Sequence, residues 1–300
     1  MNNSDEFYLT LLSNSSLNYF PKNTSANFCT QLPKTIHLEG EWCVGLSEIQ
    51  LPCSFFTVND GENVIYCEYK IIIKKKSNKA VLAGYFNDER LSAWIDSNVS
   101  RGYTLEKLLS KFENLNKPIE IHAHYKTKID AGNYESVEGI LKALNEVNIL
   151  QKDCVEFRLN NGSKRIHVAS SSTEMTSLRL SSKLSLQLGF EPDVNILNKI
   201  STYPSNILLG LPSQLFIYSD IIEPQLIGDV FAKVLRIVVV DNNKYTYGTH
   251  RVQFFSQPHY TPVLKREFEH IEIDIRTATG ERTPFQFGTV CVKLHFKRIL

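Results

Sequence analysis

The sequence predicts a mainly β protein: a β-sandwich assembled from the two ends of the chain, with an α+β segment inserted between them. Three observations predict it. Apolar residues alternate with period two at both ends, two short amphipathic helical stretches occupy the middle, and a strand-like segment follows each of those helices.

Taken in order, Phe7, Leu9 and Leu11 share one face of an opening strand. Phe28 to Gln31, Trp42 to Leu51 and Val64 to Ile73 are the next candidates, and Leu215 to Ile222, Val234 to Val240 and Val252 to Ser256 resume after the middle. Near the end, Ile271, Ile273 and Ile275 alternate with Glu272, Asp274 and Arg276, and Val290, Val292, Leu294 and Phe296 alternate with Cys291, Lys293 and His295. These strands suffice for two packed sheets. In the middle, "YTLEKLLSKF" places Leu105, Leu108, Leu109 and Phe112 on one helical face behind a capping Thr104. "ESVEGILKAL" does the same with Val137, Ile140, Leu141 and Leu144 behind Ser136. The strands "IEIHAHY" from Ile119 and "CVEFRL" from Cys154 follow. A type I′ turn at Asn161-Gly162 would pair Phe157 with Ile166 and Val155 with Val168, leaving Arg158 opposite Arg165. The expected division is 1–76 with 206–300 for the sandwich and 77–205 for the insertion, with junctions at Lys74 to Lys76 and Thr202 to Asn206.

Composition narrows the function classes. With 33 Lys and Arg against 32 Asp and Glu, the net charge of +1 writes no global attraction to nucleic acid or membrane, so no sequence-specific nucleic-acid partner is expected. Apolar runs such as Val234 to Val240 are far shorter than the roughly 20 residues of a transmembrane helix. The polar start "MNNSDEF" does not read as a secretion signal, and six cysteines without a C-x-x-C pair read as free thiols in a cytosol-like compartment.

Chemistry-bearing patterns are sparse. His122 and His124 share a strand face with Glu120, but the glutamate a cupin-type metal enzyme would carry just after them is replaced by Tyr125, Lys126, Thr127, Lys128 and Ile129. Neither a G-x-S-x-G elbow nor a phosphate-binding G-x-x-x-x-G-K loop occurs. Glu269, Glu272 and Asp274 include carboxylates on the polar side of an alternating strand, the usual place of a solvated or interface face. The lysines of "KIIIKKKSNK" and the pair Lys164 and Arg165 read as edge-strand protection, since no aromatic ladder accompanies them. Tyr85, Phe86, Trp94 and Tyr103 are the candidates for an aromatic glycan platform, or equally for a local core. No catalytic, metal or cofactor residue is therefore assigned.

Three blocks carry a resemblance. "FYLTLLSNSSLNYFPKNTSANFCTQLPKTIHLEGEWCVGLSEIQLP" from Phe7 to Pro52 resembles the start of the penton (minor capsid) proteins of Polinton-type elements, adintoviruses and virophages. "NYESVEGILKALN" with "VEFRLNNGSKRIHV" and "LRLSSKLSLQLGF" is similar to that family's central segment, and "LFIYSDIIEPQLIGD" with "FEHIEIDIRTATGERTPFQFGTVCVKLHF" to its terminal block. Leu12 and Cys43 depart from the family pattern, which often has proline and glutamate there. The resemblance implies a single jelly roll of eight antiparallel strands with the inserted domain facing outward. It implies a homopentamer at the icosahedral fivefold vertex of a virion, contact with the double jelly-roll capsomers of a major capsid protein, and a host receptor or glycan as a further partner of the insertion. Function would then be geometry and affinity, not turnover. A jelly-roll carbohydrate-binding module and a cupin-like metal enzyme are the alternatives. Under the resemblance, Trp42, Val44 and Leu46 anchor a core strand, and "LPKTIHLEG" shapes a loop against neighbours.

Overall fold

The computed structural model describes residues 5–73, 88–91, 94–96, 98, 107 and 118–299. The expected helical residues Thr104, Leu105, Leu108, Leu109 and Phe112 lie outside them, as do Lys74 to Lys76, Tyr85, Phe86 and Tyr103. The chain is mainly β. In chain order the strands are β1 (Glu6–Leu12), β2 (Asn27–His37), β3 (Trp42–Pro52), β4 (Val64–Ile73) and β5 (Ile119–Lys128). After helices α1 (Val137–Asn145) and α2 (Asn148–Lys152) come β6 (Val155–Leu159), β7 (Ile166–Ser170), β8 (Met175–Leu180) and helix α3 (Ser182–Gln187). The remaining strands are β9 (Gln214–Ser219), β10 (Gln225–Ile227), β11 (Val230–Ala232), β12 (Val234–Val239), β13 (His250–Phe254), β14 (Thr261–Pro262), β15 (Glu267–Thr277) and β16 (Cys291–Arg298).

Two compact units result: Met1–Phe56 with Leu211–Leu300, and Thr57–Gly210. The first holds two larger antiparallel sheets, ordered β1-β16-β3-β13 and β12-β9-β15-β2, with β14 also paired to β3, and the short ribbon β10-β11. Period two explains why they pack. Leu11, Val44, Leu46, Val292, Leu294 and Phe296 of one sheet, and Ile217, Ile271, Ile273 and Ile275 of the other, are sealed from solvent. Phe296 stacks on Phe7 at 4.7 Å within its sheet and meets Phe268 of the facing sheet at 5.9 Å. Gly45 of β3 is required by close approach, because a Cβ there would stand 2.8 Å from both the His259 carbonyl oxygen and Pro258. Two expectations change here. β2 runs on through Leu32 to His37, and beyond a register break after Gln31 it pairs Ile36 with Phe268 and His37 with Glu267 of β15, so "LPKTIH" is strand and not loop. Trp42 opens β3 half-buried, its ring 5.5 Å from Phe7 and its indole N–H donating to the Glu39 carbonyl, while Val44 and Leu46 form the core.

In the second unit β4 is the central strand of the sheet β5-β4-β8. The sequence expectation divided the chain at 76/77 and 205/206; the compact units divide at 56/57 and 210/211. The difference is β4, which pairs along its whole length with β5 and so belongs with residues that follow it. Its inward residues Ile65, Cys67, Tyr69, Ile71 and Ile73 build a core with Ile121 and Ala123 of β5, Leu178 of β8 and the helices. Helix α1 forms as expected, with Ser136 Oγ accepting from the Gly139 N–H and Ile140, Leu141 and Leu144 buried. Gly189, just past α3, adopts φ +80°, and a Cβ there would lie 2.0 Å from the Tyr203 carbonyl oxygen.

The β6–β7 hairpin forms with a shifted register. Phe157 pairs with Val168 and Leu159 with Ile166, so the turn is two residues longer than a type I′ loop. The cause is Asn160, whose Oδ1 accepts from the N–H groups of Gly162 and Ser163 and winds an Asx turn, closed by Lys164 at φ 56°. A slip of two residues preserves facing, so Val155, Phe157, Ile166 and Val168 remain buried. Arg158 now lies opposite His167, not Arg165, and its Nε donates to Glu156 at 2.6 Å, which removes the expected like-charge pair.

Candidate functional site

β5 presents the histidines as expected, with Ile121 and Ala123 turned into the core. His122 Nε2 lies 3.0 Å from Glu120 and His124 Nδ1 4.0 Å from Glu68, but both rings are largely exposed. Glu120 is also claimed by Lys70 at 2.8 Å, and Glu68 by Arg179. Such carboxylates are neutralised from the side, and the two histidines diverge to separate partners. Among the described residues, no group of three or more His, Cys, Asp or Glu side chains is placed to hold a metal.

The carboxylates of β15 are similarly engaged. Glu272 Oε1 accepts from Asn27 Nδ2 at 2.9 Å, and Asp274 Oδ2 accepts from Arg276 Nε at 2.8 Å. Asp220 bridges to them, accepting from the Glu272 N–H at 2.8 Å and pairing with Lys265. These bonds fix the strand face, and none leaves an acid and a base paired across a cleft. The thiols here are not activated: burial, with Asp220 and Glu272 adding to it, pushes Cys29 up to about 11. Burial likewise takes Cys67 to about 12.

One cluster has no local signature in the sequence because its hydrogen-bonded partners are as far as 84 positions apart. Arg90 Nη1 donates to Glu174 at 2.7 Å and to the buried Asp153 at 3.3 Å, Arg90 Nε donates to Asp88 at 2.9 Å, and Tyr69 donates to Asp153 at 2.7 Å. The guanidinium carbon also lies 5.3 Å from the centre of the Tyr69 ring. Burial opposes ionisation of Asp88, yet its hydrogen bonds and charge contact with Arg90 win and hold the carboxyl below the usual range. Burial, joined by Cys67 and Asp153, pushes the Tyr69 phenol well above its ordinary value. Each charge has a partner within the cluster, so this is an internal brace of the second unit. Trp94 also packs half-buried against that core, in keeping with the local-core alternative.

What remains is surface. The outer strands of both sheets in the first unit carry apolar side chains pointing outward: Ile237 and Val239 on β12, Val252 and Phe254 on β13. On β13 the apolar positions face solvent while Arg251 and Gln253 are half-buried, the reverse of a core strand. In the sequence Val252 is an ordinary strand position, since alternation alone does not say which face is inward. Arg236 lies 3.8 Å over the Phe255 ring and donates to the Gln257 carbonyl, holding the two strands' ends together. An exposed apolar edge of this kind suits protein contact better than chemistry.

No family model matches the chain, and no curated protein matches it. Among solved structures, the chain is similar to the selenomethionine-labelled penton protein of mavirus, with 12% sequence identity, 98% of this chain and 100% of that chain covered, and a TM-score of 0.46.

Proposed function

We propose that this chain is a structural capsid protein of the penton type. Its first unit is a single jelly roll, its copies close into a homopentamer at the icosahedral fivefold vertices of a virion, and its outer flanks meet the capsomers of a major capsid protein. The observation that carries the reading is strand order. Number the eight long strands of the first unit consecutively, β1, β2, β3, β9, β12, β13, β15 and β16. One sheet is then first-eighth-third-sixth and the other fifth-fourth-seventh-second. First with eighth and third with sixth stand in one sheet, second with seventh and fourth with fifth in the other, as when a long antiparallel ribbon is rolled into two facing sheets. The blocks that resemble penton proteins at the two ends of the sequence supply six of these strands, β1, β2, β3, β9, β15 and β16, and the inserted second unit leaves between the third and the fourth. A role of this kind rests on shape and affinity, with no turnover. The test is the solution mass by light scattering, for the chain alone and mixed with its major capsid protein. Fivefold mass, alone or in closed shells, supports the proposal. A monomer inert toward the capsid protein overturns it and reopens the glycan-binding reading.

A further inference from the structure

We propose that the loop between β13 and β14, with Arg236 of β12, is a docking site for an extended segment of another protein that carries a carboxylate beside an apolar side chain. The carboxylate pairs with Arg236, and the apolar side chain lies on Phe254. The site stands independently of the capsid reading.

β13 pairs with β3 as far as Phe254 opposite Glu48, and β14 resumes on the same strand with Thr261 opposite Val44, so residues 255–260 leave β3 and return to it. The loop is pinned along its length. The Phe255 N–H donates to the Ser47 carbonyl at 2.9 Å, Arg236 Nη1 donates to the Gln257 carbonyl at 3.3 Å, and Tyr260 Oη shares a hydrogen bond with His295 Nδ1 at 2.8 Å. The missing side chain at Gly45 admits Pro258 and His259 against the strand. A surface loop held at its ends and its middle has little freedom left to lose when a ligand settles on it.

Arg236 and this loop line an open concavity of about 470 Å³, with Phe254, Phe255 and His259 among its walls. Phe254 is 72% exposed. The half-buried Arg236 guanidinium lies 3.8 Å over the Phe255 ring, and among the described residues its acceptor is the Gln257 carbonyl and no carboxylate pairs with it. Burial therefore pushes Arg236 below its ordinary value, whereas the hydrogen-bonded carboxylates Asp88 and Glu156 raise Arg90 and Arg158. Glu48, which faces Phe254 across the strands, is engaged by Gln50 at 2.7 Å and Lys293 at 4.0 Å. A partly desolvated guanidinium with donors to spare and no counter-charge selects an anion. One planar fork matches one carboxylate, while a nucleic-acid backbone wants a row of cations. The exposed Phe254 beside it adds an apolar wall that a bare ion leaves unused. This chain's own acidic stretch, Glu267 to Asp274, lies in β15, which is paired on both sides by β2 and β9 and so is not at hand as the segment.

The test selects random phage-displayed peptides on the full chain and measures the enriched peptides by fluorescence anisotropy against wild type, Arg236→Gln and Phe254→Ser, each variant checked for an unchanged melting temperature. Enriched sequences are expected to share an Asp or Glu next to an apolar residue. Their affinity is expected to fall at least about tenfold in each variant, and again when the peptide's carboxylate is replaced by its amide. Phe254→Ser leaves every attachment of the loop in place, so its loss reports the site itself and not a loosened loop. Enrichment without that pattern, or binders indifferent to either variant, overturns the proposal. Inorganic phosphate or glucuronate binding as tightly as the best peptide gives the site to a small anion and overturns it. A light-scattering mass that falls on Phe254→Ser gives the site to a second copy of the chain and overturns it as well.

Discussion

Side chains of similar type in this chain differ in what they hold, and burial decides which. Trp42 is the most recognisable residue of the opening block, yet it sits half-exposed, with one ring contact to Phe7 and a hydrogen bond to its own turn. Phe296, unremarkable in the sequence, is sealed between Phe7 and Phe268. Truncating Phe296 to alanine removes contacts to both sheets and is expected to cost about 3–5 kcal/mol. Trp42→Ala, which removes area that is already partly wet, is expected to cost about 1–2 kcal/mol. Urea unfolding of the two variants measures the difference, and equal losses would mean that Trp42 is buried in solution. The same distinction separates His122 and His124, which share a strand face as their spacing implies, from a metal site, which their divergent partners Glu120 and Glu68 do not build.

At the scale of elements, most strands were legible because they alternate, and their placement was not. β4 was recognisable from "VIYCEYKIII", but nothing in its own residues says whether its hydrogen-bonding neighbours come before or after it; β5 and β8, both later in the chain, claimed it. The hairpin was legible from Asn161-Gly162, while its register depended on a side chain one position earlier, Asn160, capturing two amides. That loop places Lys164 at φ 56°, where a Cβ is disfavoured. Lys164→Gly is therefore expected to stabilise by about 0.5 kcal/mol, the relief of the left-handed conformation exceeding the extra freedom of glycine in the unfolded chain. A rise in melting temperature checks it, and a fall would show that Lys164 contributes by another contact. The Arg90 cluster has no periodic signature at all, being built from a short 3-10 turn at Glu89–Leu91 and two distant loops. Its pH response follows from Asp88, whose carboxyl is held low by Arg90. A depressed value in the folded state gives stability that is complete above the ordinary carboxylate range near pH 4 and is lost as pH falls through the depressed value. Asp88→Asn should thus lower stability by about 1 kcal/mol at neutral pH, with the gap from wild type closing below about pH 4. Chemical unfolding at pH 7, 4 and 3 follows the gap, and a gap that persists undiminished at pH 3 contradicts the assignment.

The whole molecule carries two cores on one chain, and this organises what can be altered without loss of the proposed assembly. The first unit is closed by strands from both ends of the sequence, so its integrity depends on residues some 290 positions apart, such as Phe7 pairing with Phe296. The second is contiguous from Thr57 to Gly210 and has its own apolar cluster of Ile65, Tyr69, Ile140, Leu144, Phe157 and Leu178. A contiguous unit of more local contacts forms and opens on its own terms, while one joined end to end must close a long loop first. Leu144→Ala, at a position with no solvent exposure, should cost the second core about 2–5 kcal/mol. Because both facing sheets belong to the first unit, that loss should leave the first core as in the wild type. Hydrogen exchange read by mass spectrometry separates the outcomes: amides of β4, β5 and β8 should lose protection while those of β3, β15 and β16 keep theirs. If all six strands exchanged faster together, the two cores would form one cooperative body, and mutation of the insertion would then weaken the first unit as surely as mutation of its own core.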